Sequence, residues 1–244
     1  MTAPVFVVEQ VPDGAEFVLD GPEGRHAVSV KRLRPGEDVV LTDGLGRWTA
    51  GVVRAAEGKD RLVVAVCGVR AEPEPAPRVT VVQALPKGDR GELAVETMTE
   101  TGVDRIVPWT AARCITQWKG ERGAKSLAKW RATAREAGKQ ARRVRFPVVD
   151  EPMTTRRVGE LLAGSAFAAV LHEEGSTPLA TAELPASGDI VLVVGPEGGV
   201  APEELDAFAA AGAHPYRLGP TVLRTSTAGT AATALLLGRT GRWS

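Results

Sequence analysis

Short apolar runs separated by turn signals characterise the first part of the chain. Asp13-Gly14, Pro35-Gly36 and Asp43-Gly44 favour turns, because these residue types adopt turn conformations at low cost. We therefore predict a small domain built of strands, for which a β-barrel is one architecture. The predicted strands are Val5–Val8, Glu16–Leu19, Asp38–Thr42, Trp48–Val53 and Arg61–Val66.

The clearest boundary is a segment in which prolines alternate with other residues, at Pro73, Pro75 and Pro77. Proline has no backbone N–H and a fixed φ, so this segment cannot continue a helix and favours a stiff, extended linker. After it, apolar strand patterns alternate with helical ones. This alternation indicates an α/β domain with a mainly parallel sheet.

Apolar runs without polar alternation predict buried strands in this second part, and a 3.6-residue periodicity predicts its helices. The predicted strands are Val79–Ala84, Val103–Val107, Ala166–Leu171 and Ile190–Val194. The predicted helices span residues 89–101, 126–143, 202–211 and 226–239. Ser126 is the expected N-cap of the longest helix. Its expected inward stripe is Leu127, Trp130, Ala134, Ala137 and Ala141.

Composition places the chain among ordinary globular proteins, with 43% hydrophobic and 25% charged residues. No apolar run reaches the roughly 18 residues that span a bilayer, and the N-terminus lacks the pattern of a signal peptide. Cys67 and Cys114 show no metal-ligand spacing. We therefore expect a cytoplasmic protein without a membrane or metal partner.

Formal net charge is zero, but the charges are segregated along the chain. Ten basic residues against two acidic ones lie between Lys119 and Arg145, and eleven acidic against two basic between Phe146 and Asp206. Such an excess favours a polyanion as partner, with a solvated helix surface as the alternative. Trp109 and Trp118 flank the basic segment and serve either as core residues or as stacking platforms for bases.

A glycine-rich turn follows the most apolar predicted strand, in the segment Ile190–Gly199 (IVLVVGPEGG). Glycines let a backbone approach a ligand closely, and ligands of parallel α/β sheets bind beyond the carboxyl ends of strands. The turn is neither a phosphate loop nor a dinucleotide fingerprint. It either binds a ligand such as a neutral adenosine or simply connects a strand to a helix.

A second glycine-proline loop occurs in the segment Arg217–Ala228 (RLGPTVLRTSTA). There a single arginine, Arg224, stands among hydroxyl residues that open a helix of small residues. Thr225 or Ser226 is the expected N-cap of that helix. A cap does not require Arg224, whereas a polar ligand site would use it.

Together, GPEGGV and RLGPTVLRTSTA resemble the C-terminal signature of the SPOUT class of knotted methyltransferases, and most closely the family that methylates N3 of a uridine in 16S ribosomal RNA. Residues 25–47, 87–108 and 130–149 resemble the other segments of that family. The chain departs from the family pattern at Ser226, where the family usually has Glu, and at Lys139-Gln140, where Glu-Gln is common.

The resemblance implies a small PUA-like β-barrel domain in residues 1–72 and a trefoil-knotted α/β methyltransferase domain in residues 73–244. It implies S-adenosylmethionine as cofactor, 16S rRNA or the small ribosomal subunit as substrate, and a homodimer. Two alternatives stay open. One is a related methyltransferase of a ribose 2′-hydroxyl or another base, and the other is a ribosome-assembly factor that binds RNA without catalysis.

The resemblance implies the cofactor-binding residues, and the chemistry and charge of the residues themselves suggest the catalytic and RNA-binding ones. The expected catalytic residues are Arg224, Glu197 and Ser226. The expected cofactor-binding residues are Leu171, His172, Gly195, Pro196, Glu197, Gly198, Gly199, Leu218, Gly219, Leu223, Thr225, Ser226 and Thr227. Basic side chains of the small domain and of the long helix are expected to bind RNA, namely Arg25, Lys31, Arg32, Arg34, Lys125, Lys129, Arg135, Lys139, Arg142 and Arg143.

Overall fold

A computed structural model describes residues 3–243 of the chain, which form two compact units. The first comprises the residues up to Glu74 together with Arg135–Phe146, and the second comprises Pro75–Ala134 together with the residues from Pro147 onward. The chain therefore crosses between the units three times. The division into domains at residues 72 and 73 stays a prediction.

The first unit contains a six-stranded sheet, in which β6 joins the five strands that the apolar runs predict. Its strands are β1 (Val5–Val7), β2 (Glu16–Leu19), β3 (Asp38–Thr42), β4 (Arg47–Glu57), β5 (Arg61–Val66) and β6 (Arg70–Ala71). They run in the order β1-β3-β4-β5-β2, with β6 on β4, so the hydrogen-bonded path of these described strands is open. Phe6, Leu41, Leu62 and Val64 fill the core.

The second unit is built on a seven-stranded sheet in which every pairing is parallel. The strands are β7 (Arg78–Ala84), β8 (Arg105–Trp109), β9 (Val148–Val149), β10 (Phe167–Leu171), β11 (Thr177–Pro178), β12 (Asp189–Val194) and β13 (His214–Arg217). Their order is β11-β13-β10-β12-β7-β8-β9. The central strands β12 and β7 are almost wholly buried, which explains their lack of polar alternation.

Helices follow most of the strands, as expected for a parallel sheet. They are α1 (Gly21–Arg25), α2 (Arg90–Thr101), α3 (Gly120–Gln140), α4 (Thr155–Ala163), α5 (Pro202–Ala210) and α6 (Thr225–Arg239). A π-helix, His26–Val30, continues α1 in the first unit. In the second unit, α2 packs on α6, and α6 packs on β7 and β12. The mixed α/β fold class is therefore confirmed for the second unit.

Two predicted helix starts are wrong, and in both cases a hydroxyl side chain has another partner. Helix α3 begins at Gly120, and the Ser126 hydroxyl inside it donates to the Arg122 carbonyl at 3.1 Å. Helix α6 begins at Thr225 with Arg224 as N-cap, so neither Thr225 nor Ser226 caps it. The inward stripe of α3 is confirmed for four of its five residues, Leu127, Trp130, Ala134 and Ala137.

No helix within residues 3–243 is long and apolar enough to cross a membrane.

Candidate active site

Five parallel strands end at one edge of the second unit's sheet, and the loops that leave them enclose two adjoining cavities. Parallel strands present all their carboxyl ends at the same edge, so loops distant in sequence converge there. The larger cavity, of about 1090 Å³, is lined by the segments after β7, β8, β10 and β12 and by the start of α6. The smaller one, of about 420 Å³, lies against the loop after β13.

The glycine-rich turn forms one wall of the larger cavity. The Gly199 amide donates to the Pro196 carbonyl at 2.9 Å and closes a tight turn, and Gly199 has a φ of +72° that favours glycine. A Cβ on Gly195 would lie 2.8 Å from Cγ2 of Val200, so a larger residue there would displace the Val200 side chain. The turn therefore brings bare backbone to the cavity surface.

Hydrogen bonds to two other loops hold this turn in place. Arg113, in the loop after β8, donates from Nη1 to the Gly198 carbonyl at 3.1 Å. Oε1 of Glu197 accepts from the backbone amide of Lys87, in the loop after β7, at 3.2 Å. Glu197 therefore has at least a positioning role, because its carboxylate connects two loops of the cavity wall.

A buried polar chain connects the start of α6 to the same turn. Gln83 of β7, which is fully buried, donates from Nε2 to Oγ1 of Thr225 at 3.0 Å. The Thr225 hydroxyl donates in turn to the Gly195 carbonyl at 2.7 Å. Because buried hydrogen bonds are costly to break, this chain fixes the two signature segments against each other.

Glu204 performs a similar task at the base of α5. Its buried carboxylate accepts from the Thr155 hydroxyl and the Ala112 amide, both at 2.8 Å, and from the Ala201 amide at 3.2 Å. The loop that carries Arg113 is thereby held to the helix that follows the glycine turn. Since hydrogen bonds use both of its oxygens, Glu204 contributes architecture rather than chemistry.

Most of the predicted cofactor-binding residues meet at the two cavities. Gly195–Gly199, Leu223 and Thr225 line the larger cavity together with Arg224, which was predicted as catalytic, and Leu171, Leu218, Gly219 and Leu223 line the smaller one. His172 lines both. Ser226, which is 2% exposed, and the exposed Thr227 lie outside the two linings.

Several residues at the larger cavity were not predicted from the sequence, namely Lys87, Arg90, Arg113, Glu173 and Glu174. Each follows the carboxyl end of β7, β8 or β10. The signal that was available is position, because polar residues directly after the strands of a parallel sheet collect at one edge. The use of this signal requires the order of the strands in the sheet, which sequence patterns do not reveal.

The predicted RNA-binding residues fall on both units. Arg25, Lys31, Arg32, Arg34 and Arg135 are exposed in the first unit, where Arg142 and Arg143 are half-buried. Lys125 and Lys129 are exposed in the second unit, where Lys129 pairs with Glu92 at 3.1 Å.

Lys139 differs from the other predicted RNA-binding residues because its side chain is only 4% exposed. Its ammonium lies 2.9 Å from Oε1 of Glu23, to which Arg135 also donates at 3.3 Å. A cation buried in this way stabilises the packing of α3 on α1 within the first unit. The Lys139 side chain is therefore not exposed for contact with RNA.

Displaced pKa values occur at residues that line neither cavity. Burial lowers the pKa of His26 below its ordinary value of 6.5, and nearby Lys139 acts in the same direction. Burial raises the pKa of the Cys114 thiol. Arg78 holds the pKa of Asp189 below its ordinary value of 3.8 through a hydrogen-bonded ion pair.

Comparison with known protein families matches both parts of the chain. Residues 72–237 match the RNA methyltransferase domain family, and residues 19–67 match the RNA methyltransferase PUA domain family. The PUA range ends before the proline-rich linker, and the methyltransferase range begins at the linker and includes it. The resemblance stated from the C-terminal motifs is confirmed.

Similar proteins carry one recurrent name. The Mycobacterium bovis protein "Ribosomal RNA small subunit methyltransferase E" is 48% identical, over 100% of this chain and 94% of its own length. The Bacillus subtilis protein of the same name is 26% identical, over 90% of this chain and 89% of its own length.

Solved structures agree with these relatives. The Neisseria gonorrhoeae ribosomal RNA small subunit methyltransferase E bound to S-adenosyl methionine has a TM-score of 0.84 and 28% identity, over 98% of both chains. A Legionella pneumophila methyltransferase in complex with the cofactor SAM has a TM-score of 0.83 and 26% identity, over 98% of both chains. The chain therefore belongs to the RNA methyltransferase family that includes the ribosomal RNA small subunit methyltransferase E proteins.

Proposed function

We propose that this protein transfers a methyl group from S-adenosylmethionine to N3 of a uridine in the 16S RNA of the small ribosomal subunit. The observation that carries the proposal is the convergence of GPEGG and LRT on one cavity, held together by the Gln83–Thr225–Gly195 chain. Membership of the RNA methyltransferase family and the names of the relatives support the substrate class.

The residues at the two cavities fit S-adenosylmethionine, which supplies an activated methyl group on a sulfonium. Backbone groups of the glycine turn suit a neutral adenosine, because Gly195, Gly198 and Gly199 line the cavity without side chains. The carboxylates of Glu173, Glu174 and Glu197 suit the positive charges of the sulfonium and the amino group. Arg90 and Arg113 offer partners for the cofactor carboxylate.

Methylation at N3 requires the loss of a weakly acidic proton and the stabilisation of negative charge on the uracil. Arg224 is exposed, lines the larger cavity and is the N-cap of α6, so the helix start adds to the positive field. We assign it the stabilisation of that charge. Glu197 is the candidate base at the same cavity, in addition to its bond to the Lys87 amide. Ser226 lies two residues after Arg224 and is buried. We assign it the positioning of the first turn of α6.

Two further features belong to the proposal. The C-terminal segment is threaded as a trefoil knot, for which the likeness to the N. gonorrhoeae structure is the support. The protein acts as a homodimer, and the exposed apolar side chains of Val222 and Leu223 beside the cavity are candidates for the contact. Sedimentation of the purified chain tests the dimer, and a chain trace from an experimental structure tests the knot.

Mapping of small-subunit rRNA by mass spectrometry tests the proposed reaction. RNA from a strain that lacks the gene should contain one uridine without the methyl group present in wild type. Purified protein and S-adenosylmethionine should restore that group on subunits from the mutant strain. Restoration on a ribose or on a different base would contradict the N3 assignment, and no loss of any methyl group would contradict the reaction.

Replacement of Arg224 tests the assigned charge stabilisation. Loss of one such donor typically lowers kcat by about 10²–10³-fold, so we expect a fall of that size for Arg224→Ala. Binding of S-adenosylmethionine, measured by calorimetry, should change by less than about fivefold, because the backbone turn holds the adenosine. Arg156→Ala, at an exposed position on α4, is the control. Unchanged turnover of Arg224→Ala would remove the assignment.

A further inference from the structure

A third cavity, of about 390 Å³, adjoins the proposed methyl-transfer site. It lies within the second unit and shares Lys87, Gly88 and Ile115 with the lining of the larger cavity. The rest of its wall comes from the start of α2, the loop before α3 and the first turns of α3. Its volume falls at the lower end of the range for small-ligand pockets.

An aromatic wall forms one side of this cavity. Trp118 is only half-buried, and its ring meets that of Trp130 edge to face at a centroid distance of 4.9 Å. Trp130 is almost wholly buried, and a Cβ on Gly91 would lie 2.7 Å from its ring, so α2 packs closely on it. Trp130 is therefore closely packed behind the wall, and Trp118 is left partly exposed. Indole surfaces stack on nucleobases with little dependence on base identity.

The lining of the cavity also contains polar side chains and carries net positive charge. Arg122 and Gln117 are exposed and line the cavity, as does Lys87. Glu92 is the single acid in the lining, and its carboxylate pairs with Lys129 at 3.1 Å. An amide side chain offers both a donor and an acceptor to a base edge, and arginine and lysine attract phosphate.

We propose that this cavity binds an RNA nucleotide that neighbours the methylated one, with its base against Trp118 and Gln117 and its phosphate near Arg122. The proposal depends on the proposed function, which supplies RNA as the substrate. An aromatic surface, an amide and a cation are the groups that bind unstacked single-stranded nucleotides. The adjoining position lets one strand place its target base in the larger cavity and a neighbouring base here.

Filling the cavity tests this site. Ser126 lines it and is half-buried on α3, so Ser126→Gln places a longer side chain in the space. Ala124→Gln adds the same side chain at an exposed position of the same helix outside the lining, and is the matched control. Since a stacked base contributes enough for about a tenfold change in affinity, we expect Ser126→Gln to weaken binding to small subunits at least that much. Ala124→Gln should bind within about twofold of wild type.

Removal of charge gives a second, independent test. Arg122→Gln should raise the KM for small subunits severalfold, whereas Arg156→Gln, which removes one charge from α4, should not. The KM for S-adenosylmethionine should not change in any of these variants. A rise in the KM for subunits without a rise in the KM for S-adenosylmethionine distinguishes the loss of a nucleotide site from a general loss of structure. Crosslinks from 4-thiouridine RNA should map to the segment that contains Gln117 and Trp118.

The outcomes distinguish this proposal from the proposed function. If Ser126→Gln binds and methylates subunits as Ala124→Gln does, or if crosslinks avoid residues 115–126, the nucleotide site is refuted. If wild-type protein binds subunits and crosslinks at Trp118 but transfers no methyl group, the nucleotide site stands and the proposed reaction fails. An equal rise of both KM values in Ser126→Gln would also refute the site.

Discussion

Arg142 and Arg32 hold left-handed backbone conformations, with φ values of 60° and 56°. Arg142 follows the end of α3, where its amide donates to the Lys139 carbonyl and the Arg143 amide donates to the Gly138 carbonyl. These are the bonds of a Schellman motif, whose left-handed position is usually glycine. A side chain there costs about 1–2 kcal/mol. The chain thus carries arginine where glycine is more stable, which favours a role for the guanidinium in RNA binding.

Replacement by glycine should therefore separate stability from binding at this residue. We expect Arg142→Gly to raise the free energy of unfolding by about 0.5–1 kcal/mol, because the strain exceeds the gain in unfolded-chain entropy. RNA affinity should fall severalfold through the loss of one phosphate contact. Denaturant unfolding and filter binding measure the two effects, with Arg54→Gln on β4 as the charge control. A loss of stability without a loss of RNA affinity would contradict the interpretation.

Among the elements, β7 and β12 form the centre of the sheet, and an ion pair connects their first residues. Arg78 and Asp189 are register partners, and the guanidinium contacts the carboxylate through two hydrogen bonds, at 2.7 and 2.8 Å. This pair lies at the opposite end of the strands from the cavities. It contributes to the alignment of the strands that carry the glycine turn and Gln83, without contact with the site.

The lowered pKa of Asp189 predicts how this pair depends on pH. The folded-state pKa lies below the ordinary 3.8, so the contribution of the pair is fully present above about pH 4 and is lost as pH falls through the folded-state pKa. Asp189→Asn should lower stability at neutral pH by up to about 1 kcal/mol, since both side chains are partly exposed. It should also flatten the acid limb of the stability curve, which chemical unfolding at pH 2–7 measures. Glu160→Gln, in an exposed pair on α4, should change that limb less. An unaltered acid limb in Asp189→Asn would be inconsistent with the assigned pKa.

At the scale of the whole molecule, the basic residues of the segregated segment divide into those that form ion pairs within the protein and those that are available for the proposed contacts with RNA. At least five of the ten basic residues in the segment 119–145 form ion pairs inside a unit, namely Lys129, Arg131, Arg135, Lys139 and Arg145. The basic segment is therefore partly architectural, and a count of its charges overstates the number that contact phosphate.

Because part of the basic segment forms ion pairs within the protein, we predict a moderate salt dependence of RNA binding. With about five phosphate contacts, the logarithm of the affinity should fall by about 3–4 for each tenfold rise in salt, at 0.7 per contact for single strands. Contacts from all the basic residues would give about twice that slope. Filter binding between 50 and 300 mM salt measures it, and binding of S-adenosylmethionine is the control that should change little. A slope near zero would contradict RNA binding by these residues.

The sequence by itself determined the features that depend on neighbouring residues. The bounds of β2, β3 and β5 follow from apolar runs between turn residues, and the glycine turn follows from composition alone. Local patterns are sufficient there because backbone preferences and burial periodicity act over a few residues. Two short motifs likewise identify the family, and the comparisons with known proteins confirm it.

The tertiary structure decided what depends on residues far apart in the chain. Strand order brought Lys87 and Arg113 to the glycine turn, since β7 lies beside β12 and β8 lies beside β7, although both strands precede β12 in the chain by many residues. Packing within the first unit buried Lys139, which its position on a basic helix had indicated as exposed. Hydrogen-bond partners such as Gln83 for Thr225 exist only after folding, so a hydroxyl that suits a helix cap serves instead to hold the site together.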